Sequence, residues 1–547
     1  MTSLEVKQRD GPARISVFRH DDESFLLPAA LDTERIFPDL VQRPFSNVPL
    51  FAPEEFVSSW FSPGAGQPVA LHPAREQQSA SPGDCVMVGG LVSALKNPRD
   101  YVAWLARLKG QVPPDTAWYA PAAALPSNLH LLCYAGFELF DFCAVDLETA
   151  RHRFCLPEGE FQEELMASGV CGCEGCREGD LFRHNRTALE RELCLVRSFI
   201  SGQQLRELVE SRSRMQAGQV SILRFLDRQY DYLEERTAVA RNVRLGAMTG
   251  EVMGRPEVRR FADRVLQRFV PPVGDVAVLL PCSAKKPYSL SQSHRKFQSA
   301  IAGRAVELIV TSPLGLVPRE LERIYPAAHY DIPVTGYWDR EELAFTAEIL
   351  AAFLSRHPYR RVLAHLEGGA LEAARMASEK AGVELEIGCR ERPASAGSLR
   401  DLDGALAGER AVRHDLVRAT LSWQFGVSVD TRGMAVRWKF PGMSVSRGRE
   451  PLFSLDPGTG LLRPTFGGWT YIPGVYRVFI DDFPVQGDIL APGVLSADAR
   501  IRENDEVLVE GPQVLATGRA AMPGREMEAS SRGVAVRVRK VKRKQIQ

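Results

Sequence analysis

The segment Asp275–His294, DVAVLLPCSAKKPYSLSQSH, decides how the middle of this chain folds. Val276–Leu280 is an unbroken apolar run, short enough for a strand and apolar enough to be buried on both faces. The loop after it carries Cys282, Lys285, Lys286, Tyr288, Ser291 and His294, and from Gln292 the spacing is helical. Loops at the carboxyl ends of parallel strands are where open α/β sheets bind ligands. A helix N-terminus and neighbouring lysines both favour a thiolate over a thiol. The loop reads either as a solvated polar turn or as an active site centred on Cys282, with His294 within reach if the helix turns back.

The alternation continues to residue 400. Strand VELIVTS, helix DREELAFTAEILAAFLSRH, strand RRVLAHL, helix ALEAARMASEKA and strand VELEIGC follow in order. Short apolar strands separated by helices predict a parallel sheet covered on both faces. His365 would end its strand on the same sheet edge as the Cys282 loop. VPPVGD, Val270–Asp275, breaks the pattern upstream. Residues 271–400 are therefore an α/β domain, 401–470 a small mixed domain rich in Gly and Pro turns, and 471–547 an all-β barrel.

Residues 1–270 are more varied. They hold the alternating run RISVFRH, loops rich in Pro, Gly and Ser at 61–84, and an α/β pattern from Cys85. The amphipathic stretches ALERELCLVRSFISGQQLRELVE, ILRFLDRQYDYLEERT and RPEVRRFADRVLQRF follow. Pro256 reads as a helix start and Ser395 as a helix cap. The fold class is α/β and α+β, multidomain.

A chain of 547 residues is too long for one core. Lys+Arg and Asp+Glu are equal at 68 each, yet the final VRVRKVKRK is strongly basic, as suits nucleic acid or a solubilising tail. The sequence has no apolar run of membrane-spanning length and no apolar signal core at MTSLEVKQRDGPAR, so a cytoplasmic protein is expected. Ten cysteines, three of them in CGCEGC, do not make a disulfide framework. Cys171, Cys173 and Cys176 supply three soft ligands, and His184 is the natural fourth of a structural Zn2+ site. Cys155 and Cys194 are the alternatives for the fourth position.

CGCEGC followed by HNRTALERELCLVRSFI resembles the zinc segment of tRNA-guanine transglycosylases. YAGFELFDFCAVDLETARH, Tyr134–His152, resembles their strand carrying the nucleophilic aspartate, which places Asp141 at that position. The resemblance implies a truncated TIM-barrel-like region at 1–270. VYRVFIDDFPVQGDILAPGVLSADARIRENDEVLVEGPQVLATGRAAMPGREMEASSRGVAVRVRKV resembles a PUA domain throughout. PUA domains grip structured RNA, so Arg519, Arg532, Lys540 and Lys542 are implied RNA contacts.

PCSAKKPYSLSQSH is similar to the Pro-Cys-x3-Lys-Pro-Tyr-x2-Ser-x2-His signature of archaeosine synthase alpha subunits, which are relatives of archaeal tRNA-guanine transglycosylase. TSPLGLVPRELERIYPAAHYDIPVTGYWDREE, Thr311–Glu342, resembles the same family, and the likeness covers roughly 86–541. It implies a transferase acting on tRNA that carries 7-cyano-7-deazaguanine at position 15, adding free lysine or another nitrogen donor to the nitrile. A radical-SAM partner would then release the amidine, and a homodimer is an expected state. On this reading Cys282 is the nucleophile, Lys286 and His294 carry protons, Tyr288 and Ser291 position groups, and Lys285, Thr311, Ser312 and Asp141 meet substrate. Base exchange through Asp141, and a non-catalytic tRNA-binding scaffold, are the competing readings.

Overall fold

Val276–Pro281 forms the central strand of a five-stranded sheet in the computed structural model, with Val276 to Leu280 essentially sealed from solvent. The structure describes residues 3–32, 69–72, 80, 85–333, 337–389, 391–439 and 441–544. Most of the Pro, Gly and Ser-rich run at 61–84 lies outside them, as do parts of VTGYWDREE and the residue after Cys389.

The sheet runs Gly315–Pro318, Val306–Thr311, Val276–Pro281, Arg361–Ala364, Leu385–Ile387. The last four strands are mutually parallel, in register Ala277↔Val306 and Ala277↔Val362. Gly315–Pro318 departs from the all-parallel expectation: it folds back antiparallel on Val306–Thr311. Only Ser312–Leu314 separate the two strands, too few for the crossover that a parallel neighbour needs. Gly315 has φ +72, and a Cβ there would come within 2.6 Å of the Ile349 side chain. That turn therefore requires glycine.

The central strand's two neighbours are reached by connections leaving in opposite directions along the sheet. Its carboxyl end is thus the switch point where open α/β sheets collect ligands. Helices Gln292–Ile301, Arg340–Arg356 and Gly368–Ala381 are the crossovers. Arg340–Arg356 starts with a complete capping box from Asp339 and Glu342. One hydrophobic core extends from Val239 to Leu461 and includes Trp423, whose ring lies 5.6 Å from Phe261. Helix Leu416–Phe425 supplies Trp423, and a sequential antiparallel sheet follows: Met434–Lys439, Gly442–Arg447, Glu450–Leu455, Leu462–Pro464.

Val239–Tyr476 is one compact unit, and Met1–Ala238 with Arg477–Gln547 is the other. The second unit opens with an antiparallel sheet, Ser3–Asp10, Ala13–His20, Glu23–Leu27, which includes the alternating RISVFRH. Five parallel strands follow in the order Ala29–Ala30, Leu139–Phe140, Ala117–Tyr119, Cys85–Val88, Val69–Leu71. Among the described residues this sheet is open. The long amphipathic stretch expected as one helix divides into Leu181–Ser201 and Leu205–Arg212, because Gln203 adopts φ +55. The C-terminal residues form a six-stranded, nearly closed sheet, Ile489–Leu490, Val534–Arg543, Val514–Ala520, Glu506–Glu510, Arg477–Ile480, Val494–Ala497. No helix among the described residues is long and apolar enough to cross a membrane.

Candidate active site and metal centre

Cys282 stands one residue beyond the central strand and is exposed as a residue. Its thiol nevertheless sits among protein groups. Burial pushes its pKa up, while a hydrogen bond with Thr311 and the charge of Lys286 pull it down. The upward push dominates, so the resting group is a thiol. Thr311 closes the neighbouring strand, which is why its hydroxyl meets Cys282. From Thr311 a line of hydroxyls runs inward: Thr311 Oγ1 to Tyr330 OH at 2.7 Å, then Tyr330 OH to Tyr288 OH at 2.8 Å. All three residues are buried. Thr311 Oγ1 also lies 3.1 Å from the Ser312 carbonyl, so its one proton serves either that carbonyl or the Cys282 sulfur.

Lys286 Nζ lies 3.8 Å from the centroid of the Tyr330 ring. Burial lowers its pKa, opposed by Cys282 and Asp331 and assisted by Arg244. An amine that gives up its proton readily thus faces a thiol that holds its proton tightly. The Ser312 hydroxyl donates to Glu342 Oε1 at 2.6 Å, so the residue after Thr311 is fixed to a helix cap. Lys285 is exposed, and its carbonyl accepts from Ser283 Oγ at 2.9 Å.

Ser291 and His294 are placed otherwise than as proton or substrate handlers. Ser291 is the N-cap of helix Gln292–Ile301 and accepts from the His294 amide at 3.2 Å. His294 is fully buried, and its Nδ1 accepts from Arg319 Nη2 at 2.8 Å. Burial, reinforced by the Arg319 charge, lowers its pKa to about 3, so it is neutral at any working pH. Arg319 is itself held by Glu307 and Glu322, and Glu322 accepts from the Ser289 amide at 2.9 Å. This network anchors the loop from behind. His365 is likewise buried, its ring nitrogens 3.2 Å from Gly388 O and 2.8 Å from Pro393 O. Tyr330, Arg319 and Glu342 are the residues that the local motif did not disclose; they sit within the quoted Thr311–Glu342 stretch but far along the chain from the loop.

The cysteine cluster converges. Ligand atoms of Cys171, Cys173, Cys176 and His184 all lie within 4.8 Å of one another. His184 Nδ1 is 3.3 Å from both Cys173 Sγ and Cys176 Sγ, and its Nε2 faces Cys155 O at 3.0 Å. The second nitrogen is thereby engaged by a carbonyl, which leaves Nδ1 as the ligand atom. Cys155 contributes its backbone, and Cys194 contacts Arg197 instead. Gly175 permits the closeness: a Cβ there would stand 2.6 Å from the His184 amide nitrogen. Asn185 braces the same strand, accepting from Cys155 N at 2.9 Å and donating to Arg153 O at 2.8 Å.

Asp141 ends the strand Leu139–Phe140 and is buried. Tyr119 OH donates to it at 2.6 Å, and the amides of Ala122 and Cys143 donate at 2.9 Å each. Both carboxylate oxygens accept hydrogen bonds, so the side chain ties two loops together. In the C-terminal sheet, Arg532, Lys540 and Lys542 are exposed, whereas Arg519 is part-buried against Glu506, which also binds Arg539. Arg532 and Arg537 line a cavity of about 400 Å3 with Lys7 and Glu503.

Residues 476–542 match the PUA domain family, and 258–406 match a domain of unknown function, DUF5591. The chain is 39% identical over 499 residues to archaeosine synthase subunit alpha of Methanosarcina acetivorans, covering 84% of this chain and 80% of that one. It is 35% identical over 584 residues to archaeosine synthase of Haloferax volcanii, covering 98% and 99%. The chain belongs to the archaeosine synthase family. A more distant likeness, 25% identity over 475 residues, connects it to tRNA-guanine(15) transglycosylase of Methanobrevibacter smithii, covering 76% of this chain and 65% of that one. Against this archaeosine synthase background, the Cys282 loop falls inside the segment matched as DUF5591, and the basic strand Val534–Arg543 falls inside the PUA match.

Proposed function

We propose that this archaeosine synthase family member is a tRNA-modifying transferase that adds a primary amine to a nitrile carried by tRNA. The observation that supports this most is the pairing of Cys282, a thiol, with Lys286, an amine of lowered pKa, at the sheet's switch point. The nitrile belongs to 7-cyano-7-deazaguanine, and free lysine is the donor.

The chemistry balances without an oxidant. Neutral Lys286 takes the thiol proton as Cys282 sulfur bonds to the nitrile carbon, and the same proton passes to the nitrile nitrogen. The product is a thioimidate. The donor amine then adds to that carbon, and the carbon–sulfur bond breaks. Lys286 moves the amine proton back to the departing sulfur, leaving a substituted amidine. The Tyr288–Tyr330–Thr311 hydroxyls stabilise the sulfur in both steps. Release of an unsubstituted amidine needs a second enzyme, for which a radical-SAM partner is the candidate. No step of this mechanism runs through Asp141.

Three thiolates and one imidazole suit a closed tetrahedral Zn2+ site. Zinc there would tie the Cys171–Cys176 segment to helix Leu181–Ser201 through His184 and leave no open position for substrate. The five parallel strands, with Ala29–Ala30 beside Leu139–Phe140, are read as a piece of a transglycosylase-like barrel. Arg532, Lys540 and Lys542 are the PUA-borne RNA contacts.

The test is mass spectrometry of nitrile-bearing tRNA incubated with the chain and each amine donor. A gain equal to the whole donor is expected with lysine. Exchange of the free base into guanine tRNA would contradict the reading.

A further inference from the structure

The hairpin Met434–Lys439 and Gly442–Arg447 carries a charge pattern that the Cys282 chemistry does not use. From Thr431 to Arg449 there are five cations, Arg432, Arg437, Lys439, Arg447 and Arg449, and no Asp or Glu. The chain as a whole is neutral, so this local excess stands out. Met434–Lys439 is the edge strand of its sheet, and every residue in it after Met434 is exposed. Trp438 is 51% exposed and Val436 44% exposed. Arg323 stacks on one side of the Trp438 ring, 5.0 Å from its centroid, which holds the indole in place while half of it meets solvent.

Residues alternate across the strand, so Arg437 and Lys439 share one face and Val436 and Trp438 the other. Arg432 is paired with Asp430, and Arg447 donates to Tyr471 OH at 3.0 Å. Arg437, Lys439 and Arg449 enter no ion pair among the described residues. Cations guard many edge strands against pairing with another sheet. Guarding does not account for an exposed tryptophan and valine on the same strand, which work against it. A basic ribbon with a fixed, half-open aromatic ring fits one kind of partner: a polyanion with stackable bases.

We propose that this ribbon is a second RNA-docking surface, separate from the PUA sheet, on which a tRNA base stacks on Trp438 while Arg437, Lys439 and Arg449 meet phosphates. The proposal rests on the tRNA reading above. The ribbon belongs to the same unit as Cys282, and Arg323 lies four residues after Arg319, which grips His294 at the rear of the catalytic loop. RNA seated here is held by the unit that performs the chemistry.

The experiment is fluorescence anisotropy of a labelled, unmodified tRNA transcript with the full chain across a range of KCl. For Arg437→Ala/Lys439→Ala, affinity is expected to fall about tenfold or more, with the log–log salt slope shallower by about two. Trp438→Ala is expected to weaken binding by about 5- to 100-fold, and Trp438→Phe to restore most of it, because a ring suffices for stacking. Melting temperatures stay near the parent's because these side chains are exposed. Unchanged affinity and slope in the variants, with the parent binding normally, overturns the docking surface alone. Variants that aggregate or change oligomeric state at unchanged tRNA affinity show a guarded edge or a self-contact and also overturn it. A parent chain that binds no tRNA overturns the tRNA reading itself.

Discussion

On the proposed mechanism Lys286 and Cys282 act as one acid–base pair, and the pair sets the pH response. Burial raises the Cys282 pKa and lowers that of Lys286, so the mechanism pairs a thiol with an amine that gives up its proton more readily than an ordinary lysine. Lowering the pH protonates Lys286 first and removes the base, so the rate falls on the acid side. Lys286→Ala removes an amine whose protonated form pulls the Cys282 pKa down, so the thiol pKa rises further. The predicted outcome is an alkaline shift of both the rate profile and the iodoacetamide alkylation profile of Cys282; an unshifted alkylation profile would remove Lys286 from the mechanism. Thr311→Val deletes the hydroxyl that meets the sulfur and should lower the rate by about 10- to 100-fold; it also takes a partner from the buried Tyr330 hydroxyl, at a cost of about 1–3 kcal/mol in stability. His294 makes the opposite kind of prediction. Its folded pKa, about 3, lies below its ordinary 6.5, so the unfolded chain binds the extra proton between those values. Stability should therefore fall as pH drops through 6.5 toward 3, and His294→Gln should flatten the pH dependence of urea unfolding in that window. Cys282 and Lys286 stand out as site candidates in the sequence because they are local to one loop. Tyr330, 42 residues from Tyr288, and Arg319, 25 from His294, become neighbours only when separate elements converge. Ser291 and His294 were read as site residues, although a serine three residues ahead of a bonded amide is also the pattern of a helix cap.

Among the elements, the strand–helix alternation from 275 to 400 was legible because each strand is short, apolar and sealed on both faces. The antiparallel return Gly315–Pro318 was not, since TSPLGLVP has no feature that separates a three-residue turn from a continuing loop. The metal cluster was legible from spacing alone, whereas the role of Gly175 needed coordinates. Gly175→Ala should cost about 1–3 kcal/mol, because its Cβ would press on the backbone of His184. Cys176→Ser should lose the bound metal, read as one ion per chain by elemental analysis, and lower the melting temperature. Retention of metal by that variant would mean that the cluster is not the site.

At the scale of the whole molecule, the C-terminal sheet is part of the unit that begins at residue 1, not an appended module. Arg9 pairs with Glu526, Arg502 Nε donates to Glu234 Oε2 at 2.8 Å, and the Ser531 amide donates to Asp115 Oδ2 at 2.9 Å. These ties join residues hundreds of positions apart, so linear reading could place the PUA fold but not its packing. Deleting 477–547 should therefore raise hydrogen exchange in Ser3–Asp10 and around Asp115, as well as weaken RNA binding. Exchange unchanged in those segments would show that the sheet is merely tethered.

The account stands on the sulfur of Cys282. The most direct measurement is transfer of isotopically labelled lysine to nitrile-bearing tRNA by the full chain, compared with Cys282→Ala and Cys282→Ser. Nucleophilic catalysis by Cys282 predicts transfer by the parent and loss of about 1,000-fold or more in both variants, with tRNA binding intact. Undiminished transfer by Cys282→Ala would contradict it and leave direct attack by the amine as the mechanism.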